Sequence, residues 1–183
     1  MVTILFIFAT EGWTLCNKKV PLFRIERSKN KNIVQYDACL LKNNNVSESN
    51  PVEAYWVLAN GKKEELSLVE SKQAYGIESK EKLGENKFRI VLAALKDRDI
   101  IVEKIKGRYK ALVKIKGESS ILARVYVKSE DQALGLPKVD YVEVFGRSVK
   151  TNKPVEERIT PKWGTWHWRS VGWIRFLVGM ALW

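Results

Sequence analysis

Two groups of residues in this sequence have types and spacing that can do chemistry. The first is Glu65 and Glu70 in "ELSLVE", a carboxylate pair of the kind that glycosidases use as acid and base. The second starts in "RSKNKN", Arg27 to Asn32. Arg27 offers a fork of donors to a carboxylate or phosphate, and the amides of Asn30 and Asn32 add neutral hydrogen bonds. Tyr36, Trp56, Tyr75 and Glu70 extend this into a candidate rim with a stacking surface and an acceptor. Such a mixture suits a sugar or peptidoglycan-like ligand.

Each group also has a purely structural reading. Asn and Ser are favoured in turns because their side chains bond the local backbone, which makes "RSKNKN" a hairpin connection with Arg24 and Arg27 facing outward. Glu70 stands three residues after Ser67, the spacing of a reciprocal helix N-cap. The turn and the cap need fewer assumptions, so ligand binding stands second to them. The spacing of five between Glu65 and Glu70 does not by itself put both carboxylates in one cleft.

Little other chemistry is on offer. One histidine, His167, would have to serve any Ser-His-Asp, Cys-His or His-metal site, and no local motif accompanies it. We expect no catalytic residue, no metal and no cofactor. Cys16 and Cys39 form one disulfide if the compartment is oxidising, but two cysteines fix nothing alone.

The elements that must position these residues are mostly strands. Apolar residues at two-residue spacing recur in "PLFRIER", "NIVQYDACL" and "PVEAYWVLA". They recur again in "KFRIVLAAL", "RDIIVEKIK", "RYKALVKIK", "SSILARVYVK", "KVDYVEVFG" and "KPVEERIT". Short connections at steps of roughly ten residues predict an antiparallel sandwich or barrel of about eight strands. Val34, Tyr36, Ala38 and Leu40 share one face, as do Tyr109, Ala111, Val113 and Ile115. One short helix, Leu68 to Tyr75, is capped by Ser67 and ended by Gly76. "KNNNVSESNP", Lys42 to Pro51, reads as a plain polar loop.

The chain of 183 residues has 45% hydrophobic and 29% charged residues, the balance of an ordinary globular domain. Its net charge is +11, which attracts nucleic acid, anionic lipid or acidic glycans if it is localised. Part of it lies in Lys96 to Lys116, with a net of +5. Arg108, Lys110, Lys114 and Lys116 alternate there with the apolar face, so a solvated strand face explains them. No recognition motif for nucleic acid accompanies the charge, and nucleic acid is not expected as a partner.

Residues 1–20 read either as a degraded export signal or as a first strand. Val2 to Ala9 has the length of a signal core, but no Lys or Arg precedes it. Residues 162–183 form a basic tail with five of the seven tryptophans. Trp163, Trp166, Trp168 and Trp173 with Arg169 and Arg175 suit an interfacial anchor on an anionic membrane surface. The plainer reading, a tail packed on its own domain, is preferred.

"LFRIERSKNKNIVQYDA", "PVEAYWVLANGKKEELSLVESKQAYGI" and "LPKVDYVEVFGRSVKTNKPVEERITP" together resemble the bacterial domain-of-unknown-function family 4833. The resemblance covers about Pro21 to Pro161, one β domain, with its blocks in the family's order. It implies an exported protein, since members often carry an export signal, and it supplies no catalytic residue. The expectation is therefore a non-enzymatic exported, periplasmic or envelope-associated module that binds or organises a small or polymeric envelope ligand or a protein. A peripheral membrane protein held by its tail and a carboxylate-dependent hydrolase are the alternatives, and a cytoplasmic location is the alternative to export.

Overall fold

The alternation of apolar residues along the chain is realised as burial. A computed structural model describes residues 16–160, apart from 29, 94 and 132–136. The expectations for Val2 to Ala9, His167 and the tryptophan-rich tail lie outside the described residues.

Among the described residues the chain forms eleven strands in one sheet. They are β1 (Lys18–Arg27), β2 (Ile33–Leu40), β3 (Val52–Val57), β4 (Lys63–Glu65), β5 (Ile77–Gly84), β6 (Lys87–Leu92), β7 (Leu95–Ile105), β8 (Arg108–Ile115), β9 (Glu118–Asp131), β10 (Pro137–Ser148) and β11 (Pro154–Ile159). Neighbours run β4-β3-β2-β1-β9-β8-β7-β6-β5, and β10 lies on β9 and β11 on β10. The sheet branches at β9, whose first residues pair with β8 and whose Arg124 to Val127 pair with β1.

The sheet curls into an open half-barrel around one apolar cluster. Phe23, Ile25, Val34, Tyr36, Ala38, Ile90, Val102, Ala111, Ile115 and Val125 are buried in it. The faces read from the sequence are therefore correct, while Arg108, Lys114 and Lys116 face solvent. The fold is mainly β, as expected, with three differences. There are eleven strands and not about eight, in one curled sheet, and β1 and β9 pair in parallel.

Two tight turns explain the repeated "IKG". Lys106 and Gly107 have φ of 49° and 79°, and Lys116 and Gly117 have 50° and 80°. Positive φ at both central residues matches the right-handed twist of the flanking strands, and glycine adopts it without steric cost.

The helix is present and shorter as regular α-helix than expected. Helix α1 (Leu68–Glu70) continues as one π-type turn over Ser71–Tyr75. Ser67 and Glu70 make the full capping box. Gly76 ends the turn for a reason other than a left-handed backbone: its φ is −73°. A Cβ there would collide with the Ser71 carbonyl, so close approach is what demands glycine.

The loop from Lys42 to Pro51 is not a plain polar connection. Val46 and Ser47 are buried, and the Val46 N–H donates to Asn86 Oδ1 at 3.1 Å. Tyr109 Oη donates to the same Asn86 oxygen at 2.7 Å, and Lys80 reaches the Ser49 carbonyl. The loop thereby clasps the β5–β6 hairpin, from which β2 and β3 are far removed in sheet order.

Candidate functional site

The β1–β2 turn, the β3–β4 hairpin and α1 meet at one place, and an open cleft of about 560 Å³ lies among them. Arg27, Asn32, Trp56, Glu64, Glu65 and Glu70 line it. Strand register explains much of this grouping. Trp56 sits opposite Val34 on one side and opposite Glu64 on the other.

Trp56 is the centre of the wall. It is only 7% exposed, and its Nε1–H donates to Glu70 Oε1 at 3.2 Å. The Arg27 guanidinium lies over its ring at 4.7 Å, a cation–π distance. Tyr75 meets Trp56 edge-on at 5.1 Å. Arg27 Nη1 donates to Tyr75 Oη at 3.4 Å, while Arg27 Nε is buried with no partner.

Glu70 does two jobs at once. Its Oε2 accepts the Ser67 N–H at 2.9 Å to close the cap, and its Oε1 fixes the Trp56 indole. Partial burial acts to raise its pKa. The Ser67 hydrogen bonds, the Trp56 N–H and the Arg27 charge outweigh it and hold the carboxyl below its ordinary 4.5. Glu70 is thus kept ionised, the opposite of a general acid waiting with its proton.

Of the seven rim candidates, the structure brings Arg27, Trp56, Glu70 and Tyr75 into direct contact. Asn32 lies at the lip, where its Oδ1 accepts the Ala59 N–H at 3.0 Å and ties two hairpins together. Asn30 is a turn residue whose Oδ1 accepts the Asn32 N–H at 3.1 Å. Tyr36 is a core residue, stacked on Phe23 at 4.4 Å and donating to the Tyr75 carbonyl at 2.6 Å. Trp56 is no open stacking platform either, because Arg27 covers its ring. Sequence reading missed Glu64 as a lining residue. Exposed acids in a three-residue strand carry no pattern that would have marked it.

A family model described as a domain of unknown function, DUF4833, matches residues 23–158. The chain belongs to the DUF4833 family. The match takes in Arg27, Trp56, Glu70 and Tyr75, so the cleft lies wholly within the DUF4833 domain. No curated protein and no solved structure matches the chain. Among its described residues, the DUF4833 domain has no helix long and apolar enough to cross a membrane. Among those same residues, Cys16, Cys39 and Glu53 are the one group with metal-type ligands, and its two sulfurs are joined as a disulfide.

The DUF4833 domain should lose stability in acid. Two further carboxyls are held below the ordinary 4.5. At Glu26, partial burial is outweighed by Arg24 and Arg124. At Glu157 the Arg98 fork leads, with bonds of 3.0 and 2.8 Å. A carboxyl with a lowered folded pKa contributes stability above its unfolded value and loses it as pH falls through the folded one. The urea midpoint is therefore expected to be level near neutrality and to fall below about pH 4.5. Glu70→Gln should flatten part of that fall, and an unchanged acid limb would remove Glu70 from this account.

Proposed function

We propose that the DUF4833 domain is an exported, non-enzymatic module of the cell envelope that holds a polyhydroxylated ligand in the cleft beside Trp56. The observation that carries this is the buried Arg27 Nε without a partner, on a side chain that lines the cleft. An unpaired buried donor costs free energy, and a ligand oxygen recovers it when the Arg27 side chain turns its Nε–H toward the cleft. Sugar hydroxyls both donate and accept, so they match an arginine and an amide beside the carboxylates of Glu64 and Glu65. Export is supported by the Cys16–Cys39 disulfide, since such bonds persist in oxidising compartments. In the same reading the curled sheet behaves as a barrel whose missing ladder is replaced by the Lys42 to Pro51 clasp.

The test is titration of isotope-labelled protein with soluble peptidoglycan fragments and chito-oligosaccharides, read by NMR. Saturable shifts of the Trp56 Nε1–H signal, lost in Arg27→Gln, are expected. No shift at millimolar ligand would remove the ligand reading. A hydrolase has one observation in its favour, that Glu65 and Glu70 line the same cleft. The ionised, fully engaged Glu70 speaks against it, and release of new reducing ends from those fragments, abolished in Glu65→Gln, would reverse that judgement.

A further inference from the structure

The outer face of β1, β9, β10 and β11 carries a second cleft, of about 520 Å³, that shares no lining residue with the first. Strand register builds it. Arg24, Arg124, Phe145 and Glu156 lie directly opposite one another across the four strands, which puts their side chains on one face. Arg147 and Pro154 form the adjacent row. All six residues line the cleft.

Three guanidinium groups on one wall need explaining, because like charges on facing positions repel. Glu26 supplies part of the answer. It accepts from Arg24 Nε at 2.7 Å and from Arg124 Nη1 at 2.8 Å, so one carboxylate holds two arginines side by side. Arg124 is further fixed 3.9 Å above the Phe145 ring. Arg147 Nη1 donates to the Asn152 carbonyl at 3.0 Å. Each guanidinium has five N–H donors, and these contacts engage one nitrogen in each. The remaining charge does not balance: three arginines face Glu26 and Glu156. One row further along, Arg158 and Glu143 neutralise each other. A positive wall with spare fork donors is left beside Pro154 and the exposed part of Phe145 that Arg124 does not cover.

We propose that this cleft binds an oxyanion, a phosphate or carboxylate group, carried on an apolar body that meets Pro154 and the part of the Phe145 side chain that Arg124 leaves exposed. Arg24, Arg124 and Arg147 give the oxyanion paired, charge-assisted hydrogen bonds. Glu26 is a positioning residue that keeps two of the forks aligned. The assignment is independent of the ligand proposed for the Trp56 cleft, and the two fail separately.

Phenyl phosphate, benzoate and neutral benzyl alcohol are the probes, titrated into the full chain and followed by NMR at the arginine Nε–H and Phe145 ring signals. Saturable shifts with at least one anion and none with the alcohol are expected. The tighter anion names the group: phosphate or carboxylate. Arg147→Gln should weaken binding about tenfold or more, as loss of one charge-assisted bond predicts. Arg147 is exposed and its hydrogen bond goes to the Asn152 carbonyl in the β10–β11 turn, so this variant should fold, and circular dichroism verifies that. Absence of shifts with both anions overturns the proposal. So does equal binding of benzyl alcohol, or wild-type affinity in both Arg147→Gln and Arg24→Gln.

Discussion

Trp56→Ala should lower unfolding stability by about 3–5 kcal/mol, the usual cost of emptying a large aromatic site in a core. Circular dichroism in urea is the right measurement, since seven tryptophans make fluorescence a mixed signal. Three contacts end with the ring: the Arg27 stack, the Tyr75 edge contact and the Glu70 hydrogen bond. Trp56→Phe keeps much of the apolar area and removes the N–H. Its cost should be about 2 kcal/mol, the scale of a hydrogen bond to a charged group. If Trp56→Ala cost less than about 1 kcal/mol, well under that range, the cleft wall would not be built on this ring.

The second large effect belongs to the disulfide. Cys16 and Cys39 are 23 residues apart with Cα atoms at 5.1 Å, so their bond ties the start of β1 to the end of β2. In the chain-entropy model a loop of that size contributes about 3 kcal/mol by restricting the unfolded chain. Cys16→Ser is the informative variant, because Cys39 is fully buried and altering it would also open a cavity. The oxidised protein should lose about 3 kcal/mol in Cys16→Ser, and reductant should bring the wild type to the same urea midpoint. Cys16→Ser should ignore reductant. A wild-type midpoint that reductant does not move would show the two sulfurs apart.

What could be read from the sequence followed what is buried. The nine segments with alternating apolar residues all became strands, because alternation is the trace of a sheet with one covered face. Strands β4 and β5 were missed for the same reason. "KEE" is exposed throughout, and in "IESKEKLG" only Ile77 is even partly covered. Edge strands covered on neither face have no period to show, and their charges discourage pairing with other chains. The parallel β1–β9 contact left no trace either, since pairing between distant segments is decided by the curl of the whole sheet. The cap at Ser67 and Glu70 was legible because its chemistry is local. The bond from Glu70 to Trp56 was not, because it depends on how β3 and α1 meet. Asn30 and Tyr36 were grouped with the rim by residue type, and geometry gave one to a turn and the other to the core.

The parallel seam bears on how the chain folds. Strands β1 to β4 are successive neighbours, and so are β5 to β9, so each series can assemble from contacts close in sequence. In the ladder they are joined where Arg24 to Arg27 pair with Arg124 to Val127, a hundred residues apart. Closing so long a loop carries an entropic cost that local pairing does not, and contacts of high sequence separation slow folding. During synthesis β1 can pair with β2 early, but among the described residues its other edge is paired only by β9, which leaves the ribosome much later. Strand β1 therefore waits, one edge open, for a strand made a hundred residues later.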